Sequence, residues 1–166
     1  RLSCKKKLDA KSQAKAERIH RRVEEICEYA ASVGQPIFID AEDSWIQDAI
    51  DRMATEMMER FNQQRPIVYN TIQLYRTDRL QYLRNARREA SRNGYILGMK
   101  LVRGAYMEKE RERAAQMDYA SPIHEDKKGT DDDYNAAIEY CLKHLDEVAF
   151  VNATHNEEST RLLARR

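Results

Sequence analysis

Tyr95-Ile96-Leu97-Gly98-Met99-Lys100-Leu101-Val102-Arg103-Gly104-Ala105-Tyr106 is the stretch that decides the fold. Its apolar residues suit a buried strand, yet the run carries two cations, Lys100 and Arg103, and breaks at Gly104. Burying charge without a partner is expensive, so two cations at a strand end call for an anionic or electron-rich partner: a carboxylate, a phosphate or a flavin ring. On the residues alone, an ordinary strand end with solvated charges is the competing reading.

Three more segments of the same kind lie around it. Upstream, Gly34 closes a charged helix running from about Lys5 to Ala31, and Pro36 opens a strand, Ile37-Phe38-Ile39, that ends at Asp40. Ser44 with Gln47 forms a capping-box pattern for a helix whose inward face is Ile46, Ile50, Met53, Met57 and Phe61. Pro66 then opens a strand, Ile67-Val68-Tyr69, that runs to Gln73, and Thr77 or Asp78 caps a helix with Leu80, Leu83, Ala86 and Ala90 inward, ended by Gly94.

Downstream of the central stretch, a helix from near Met107 alternates Glu108, Glu110 and Glu112 with Lys109, Arg111 and Arg113. That alternation predicts a solvated face, with Ala114, Ala115 and Met117 packing beneath. The segment from Tyr119 to Gly129 reads as an excursion before Thr130 caps a helix holding Tyr134, Ile138, Cys141 and Leu145. Asp131, Asp132 and Asp133 then fall in its first turn, where they complement the helix dipole and make no metal site. The fourth strand, Val148 to Asn152, leads to His155, and Asn156 caps the last helix.

Strand then helix, four times with no hairpin signal, implies a parallel sheet with right-handed crossovers. Each strand ends in polar residues: Asp40, Gln73, Lys100 with Arg103, and His155. A (β/α)8 barrel collects its chemistry at that rim. A doubly wound sheet is the structural alternative, but no Gly-x-Gly-x-x-Gly follows any strand.

Composition narrows the function classes. Lys and Arg number 29 against 28 Asp and Glu, a net charge of +1, so no global field favours nucleic acid. No apolar run reaches the roughly 18 residues of a membrane span. Cys4, Cys27 and Cys141 are widely spaced with no CxxC, which fits thiols in a reducing compartment. A start at Arg1 and an end in a polar helix at Arg165-Arg166 suit a piece of a longer protein.

The run from Lys100 to Tyr106, continuing through Glu110-Arg111-Glu112-Arg113-Ala114, closely resembles the signature of the proline dehydrogenase family. Ile39-Asp40-Ala41-Glu42, Tyr69-Asn70-Thr71-Ile72-Gln73 and Ala153-Thr154-His155-Asn156 agree with the same family in the same order. The resemblance implies an α/β fold: a TIM-like (β/α)8 barrel about twice this length, of which residues 1–166 supply an N-terminal helix (about 5–32) and four consecutive βα units.

It also implies FAD-dependent oxidation of L-proline to 1-pyrroline-5-carboxylate, with hydride passing to flavin N5. On this resemblance Gln73 and Lys100 contact the isoalloxazine, Arg103, Gly104 and Ala105 wrap the cofactor, and Thr154 and His155 add contacts. Ala41 lies against the flavin through its backbone, Asp40 is the active-site aspartate, and Tyr106 borders the proline pocket. Implied partners are a membrane quinone as electron acceptor and pyrroline-5-carboxylate dehydrogenase through functional coupling. The implied location is cytoplasmic or peripheral on an inner membrane, mitochondrial if the source is eukaryotic.

Two features depart from the family pattern. Lys100 precedes Arg103, the order of the eukaryotic-like branch, where many bacterial members have arginine first. Two family segments, an early strand with a substrate lysine and a last helix with paired arginines, have no counterpart in these residues. Two other readings compete: an aldolase-like barrel in which Lys100 forms a Schiff base, and a non-catalytic barrel fragment with open strand edges.

Overall fold

The computed structural model describes residues 9–165, so Cys4 and the first residues of the expected N-terminal helix lie outside the described part. Helix α1 (Ala10–Val33) ends at Gly34, whose positive φ of 71° makes the left-handed C-cap. Then come β1 (Ile37–Ile39), α2 (Ser44–Phe61), β2 (Val68–Gln73), α3 (Arg79–Asn93), β3 (Leu97–Val102), α4 (Met107–Gln116), α5 (Lys127–Leu142), β4 (Val148–Asn152) and α6 (Glu157–Ala164).

The four strands form one parallel sheet in the order β1-β2-β3-β4. Consecutive strands are neighbours throughout, so the strand order never reverses as it does at the crevice of a doubly wound sheet. This is the arrangement of a barrel segment, with β1 and β4 as its two edges.

Strand alternation sorts the residues onto two faces. Val68, Ile72, Leu97, Met99, Leu101 and Val148 are buried beneath the helices, in a core shared with Met57, Met58, Leu83, Tyr134, Ile138 and Cys141. Each such large side chain contributes about 1.5–3 kcal/mol by leaving water. The opposite face is built in layers by the register. Tyr69 pairs with Phe38, their rings meeting edge-on at 5.7 Å, and the next layer brings Thr71 opposite Lys100 and Lys100 opposite Val151. Gly98 lies beneath the tyrosine because a Cβ there would stand 3.1 Å from the Tyr69 ring and 2.3 Å from the Val68 carbonyl oxygen.

Several helix expectations need correction. Ser44 and Gln47 do not close a capping box on α2. Asp43 is the N-cap but makes no side-chain capping bond, while Ser44 donates to Glu110 and Gln47 accepts from Glu42 N and donates to Asp51. Helix α5 begins at Lys127 rather than at Thr130, with Asp126 accepting from Gly129 N. Gly129 is inside the helix because it packs on His124, where a Cβ would meet Nδ1 at 2.8 Å. The alternating charges of α4 are not a purely solvated face, since Glu110 is fully buried. Of the three residues expected beneath, only Ala114 is buried, whereas Met117 is 57% exposed. Ile46, in the first turn of α2, and Leu145, which lies past the end of α5, are exposed as well. Cys27 and Cys141 are buried free thiols, pushed up by burial to about 11 and about 12.

Candidate active site

All four strands deliver their C-terminal ends to one groove of about 480 Å³, within the usual range for small-molecule and cofactor sites. Asp40, Ala41, Gln73, Lys100, Arg103, Gly104, Ala105, Tyr106, Thr154 and His155, the residues singled out in the sequence, all line it. These residues converge here because each lies near or just beyond the C-terminal end of a strand in one parallel sheet.

Two charge clusters occupy the groove. In the first, Lys100 Nζ donates to Asp40 Oδ1 at 2.6 Å and lies 5.2 Å over the Phe38 ring, and Thr71 Oγ1 donates to the same oxygen at 3.1 Å. The Lys100 hydrogen bond holds the Asp40 carboxyl below its ordinary value of 3.8. The pair is therefore fully formed above 3.8 and weakens only as pH falls through the depressed value.

The second cluster is built on Arg103. Nε donates to Asp131 Oδ1 at 2.8 Å, Nη1 to Thr154 Oγ1 at 2.6 Å and Nη2 to Ser159 Oγ at 2.9 Å, and the guanidinium lies 4.2 Å over the Tyr134 ring. Thus β3, α5 and α6 are pinned together at the rim. Three of the five N–H donors of the arginine are engaged in this way by acceptors among the described residues. Against its own desolvation, Asp131 is held below 3.8 by Lys127 and Arg103. This corrects the reading of Asp131 as a first-turn dipole residue.

Gln73 joins the loops on either side of it: Nε2 donates to the Glu42 carbonyl at 2.8 Å and Oε1 accepts from Ala105 N at 3.4 Å. Tyr106 donates through its hydroxyl to Glu42 Oε2 at 3.1 Å. Gly104 has φ 140°, and a Cβ there would stand 2.5 Å from the Tyr75 ring, so the turn after Arg103 admits only glycine. His155 is exposed at the rim.

Sequence reading assigned no site role to Thr71, Glu42 or Ser159, and a different one to Asp131. Thr71 could have been found from strand alternation, since it shares a face with Gln73. The other three take their roles from partners far along the chain.

The donor set suits an electron-rich ring with anionic appendages. Lys100, Arg103, the Gln73 amide and the Thr154 hydroxyl supply donors, and Ala41, Gly104, Ala105 and Ala153 leave room for a flat ring to approach. A Schiff-base role fits less well, because the amine of Lys100 is engaged by a carboxylate where such chemistry needs a free, desolvated one. Among the described residues no helix is long and apolar enough to cross a membrane.

Comparison with known proteins adds to this geometry. A structure of proline utilization A from Bdellovibrio bacteriovorus, inactivated by N-propargylglycine, superposes with a TM-score of 0.84 over 92% of this chain and 16% of its own, at 19% identity. That likeness bears on the fold. By sequence, the chain is 37% identical to proline dehydrogenase 2, mitochondrial, of Arabidopsis thaliana, covering 96% of this chain and 34% of that protein. It is 36% identical to the carbapenem antibiotics biosynthesis protein CarD of Pectobacterium carotovorum, covering 94% and 40%. Human proline dehydrogenase 1, mitochondrial, is 35% identical over 90% of this chain and 25% of its own length. The chain thus spans between a quarter and two-fifths of these relatives. The family model for proline dehydrogenase matches residues 2–166, nearly the whole of the sequence, and with the barrel segment and its rim already in place, the chain belongs to the proline dehydrogenase family.

Proposed function

We propose that the protein oxidises L-proline to 1-pyrroline-5-carboxylate with FAD as cofactor. The observation that carries this reading is the convergence of Asp40, Gln73, Lys100, Arg103 and Thr154 on one groove at the strand ends of a chain of this family. In the reaction, the ring carbon next to nitrogen gives up a hydride, the nitrogen lone pair forms the C=N bond, and the N–H proton is lost to solvent. FAD, when bound, is the acceptor of that hydride at N5.

The chain's own residues hold and polarise the site. Lys100 and Gln73 would supply donors to the ring, whose negative charge grows during the reaction. Asp40 keeps Lys100 extended along the groove through the 2.6 Å bond, and Thr71 steadies the carboxylate. Arg103, Gly104 and Ala105 would wrap the cofactor, Thr154 and His155 would add contacts, and the Ala41 backbone would lie against the ring. Tyr106, tethered to Glu42, borders the proline side. Residues 1–166 would then be a portion of the catalytic barrel.

The product is an imine that a second oxidising enzyme, pyrroline-5-carboxylate dehydrogenase, would consume, and a membrane quinone would take the electrons. The mitochondrial names of the plant and human relatives support a place at the inner membrane if the source is eukaryotic.

The test is identification of the released cofactor in the full-length protein, together with flavin titration of Arg103→Met. We expect FAD to be released on denaturation, and Arg103→Met to weaken its binding by about tenfold or more, since three charge-assisted hydrogen bonds from Arg103 order that rim. A protein that takes up no flavin would overturn the reading.

A further inference from the structure

Glu110 lies one turn into α4, in a run of alternating charges, and yet it is fully buried. Its Oε1 accepts from Ser44 N and its Oε2 from Ser44 Oγ, both at 2.6 Å. Ser44 opens α2, an 18-residue helix whose N-cap, Asp43, gives its N–H groups no side-chain capping bond. A carboxylate at that end satisfies one of the orphan N–H groups and meets the positive pole of the helix dipole. Helix α4 therefore caps α2 across a sequence separation of 66 residues.

Other ties run the same way. Lys109 Nζ donates to Asp43 Oδ2 at 2.8 Å, and Arg113 lies 4.2 Å over the Trp45 ring. The β1 ladder stops at Ile39, so the segment 40–44 is held by side chains, those of Thr71, Gln73 and Lys100 from the sheet and those of Lys109 and Glu110 from α4, and not by the strand ladder. That segment carries Asp40, Ala41 and Glu42 into the groove.

We infer that Glu110 is a positioning residue. Acting through Ser44, it fixes the segment 40–44, and with it Asp40, against Lys100 and the Arg103–Tyr106 turn. Packing alone would not call for a carboxylate here, because burying one is costly unless both oxygens find donors, as they do on Ser44. The assignment rests on the functional reading above.

The experiment uses the full-length flavin-loaded protein, mixed anaerobically with proline well below its melting temperature, with rates expressed per bound flavin. Glu110→Ala is expected to slow flavin reduction by about tenfold or more, and Ser44→Ala, which keeps the backbone bond, by about threefold. Glu110→Gln is expected to stay within about twofold of the unaltered protein, since its amide still accepts from Ser44 N and donates to Ser44 Oγ. A merely structural residue would lower the melting temperature and leave the rate per bound flavin unchanged, and that result for Glu110→Ala and Ser44→Ala overturns the assignment. If Glu110→Ala does not fold, Ser44→Ala against Ser44→Thr decides. Failure of the unaltered protein to be reduced by proline would instead overturn the functional reading, and this assignment with it.

Discussion

Replacing Asp40 by Ala in the full-length protein is expected to cut proline turnover by on the order of a hundredfold while leaving flavin content near that of the unaltered protein. Asp40 is the acceptor for both Lys100 and Thr71, so its loss frees an ammonium and a hydroxyl in the groove at once. The change also removes a negative charge beside the proposed ring, which leaves Lys100 as an uncompensated cation. A cation there favours the reduced, anionic ring, so the flavin potential should rise even as turnover falls. Stopped-flow reduction and potentiometry of the same preparation check the two halves. Unchanged kinetics with proline would remove Asp40 from the reaction.

Lys100→Met is expected to do the reverse to the potential. It deletes the cation and leaves the Asp40 carboxylate behind, which disfavours the reduced ring on both counts. A fall on the order of tens of millivolts corresponds to an interaction of roughly 1–3 kcal/mol at an effective dielectric constant near 20. Proline-dependent reduction should slow with it, and the protein should stay folded and yellow, because Lys100 belongs to the groove face and not to the packed core beneath the helices. Opposite signs from the two members of one ion pair are hard to produce by general disruption. Equal potentials in both variants would make the pair a surface feature. In a Schiff-base enzyme Lys100→Met would abolish borohydride trapping and leave no flavin effect.

Local chemistry in the sequence carried much of the architecture. β4 occupies Val148–Asn152 as read, Gly34 and Gly94 end α1 and α3 in the left-handed conformation, and Asn156 caps α6 through Ser159 N. These features depend on residues within a few positions of one another. Alternating apolar runs followed by a polar residue also located the groove, because in a parallel sheet every strand ends on the same rim.

What was hidden depends on distant partners. Glu110 looks like one charge among many until Ser44 arrives from 66 residues upstream. Asp131 looks like a helix-dipole residue until Arg103 reaches it. Gly129 resembles a loop glycine, yet it sits in a helix and is small for the sake of His124. In α1, Ile19 and Ile26 fall at helical spacing with the buried Cys27 and Ala30, but both are exposed, Ile26 by 59%. Periodicity gives a helix a face without saying that anything covers it.

The central claim is that this chain belongs to a flavoenzyme that removes hydride from proline. Family membership alone leaves the substrate open, since a carbapenem biosynthesis protein is among the relatives at 36% identity. The most direct measurement is anaerobic titration of the full-length, flavin-loaded protein with L-proline, followed through the visible absorbance of the oxidised flavin. The account predicts complete bleaching, with one 1-pyrroline-5-carboxylate formed per flavin reduced. A yellow protein that keeps its colour under saturating proline would contradict it.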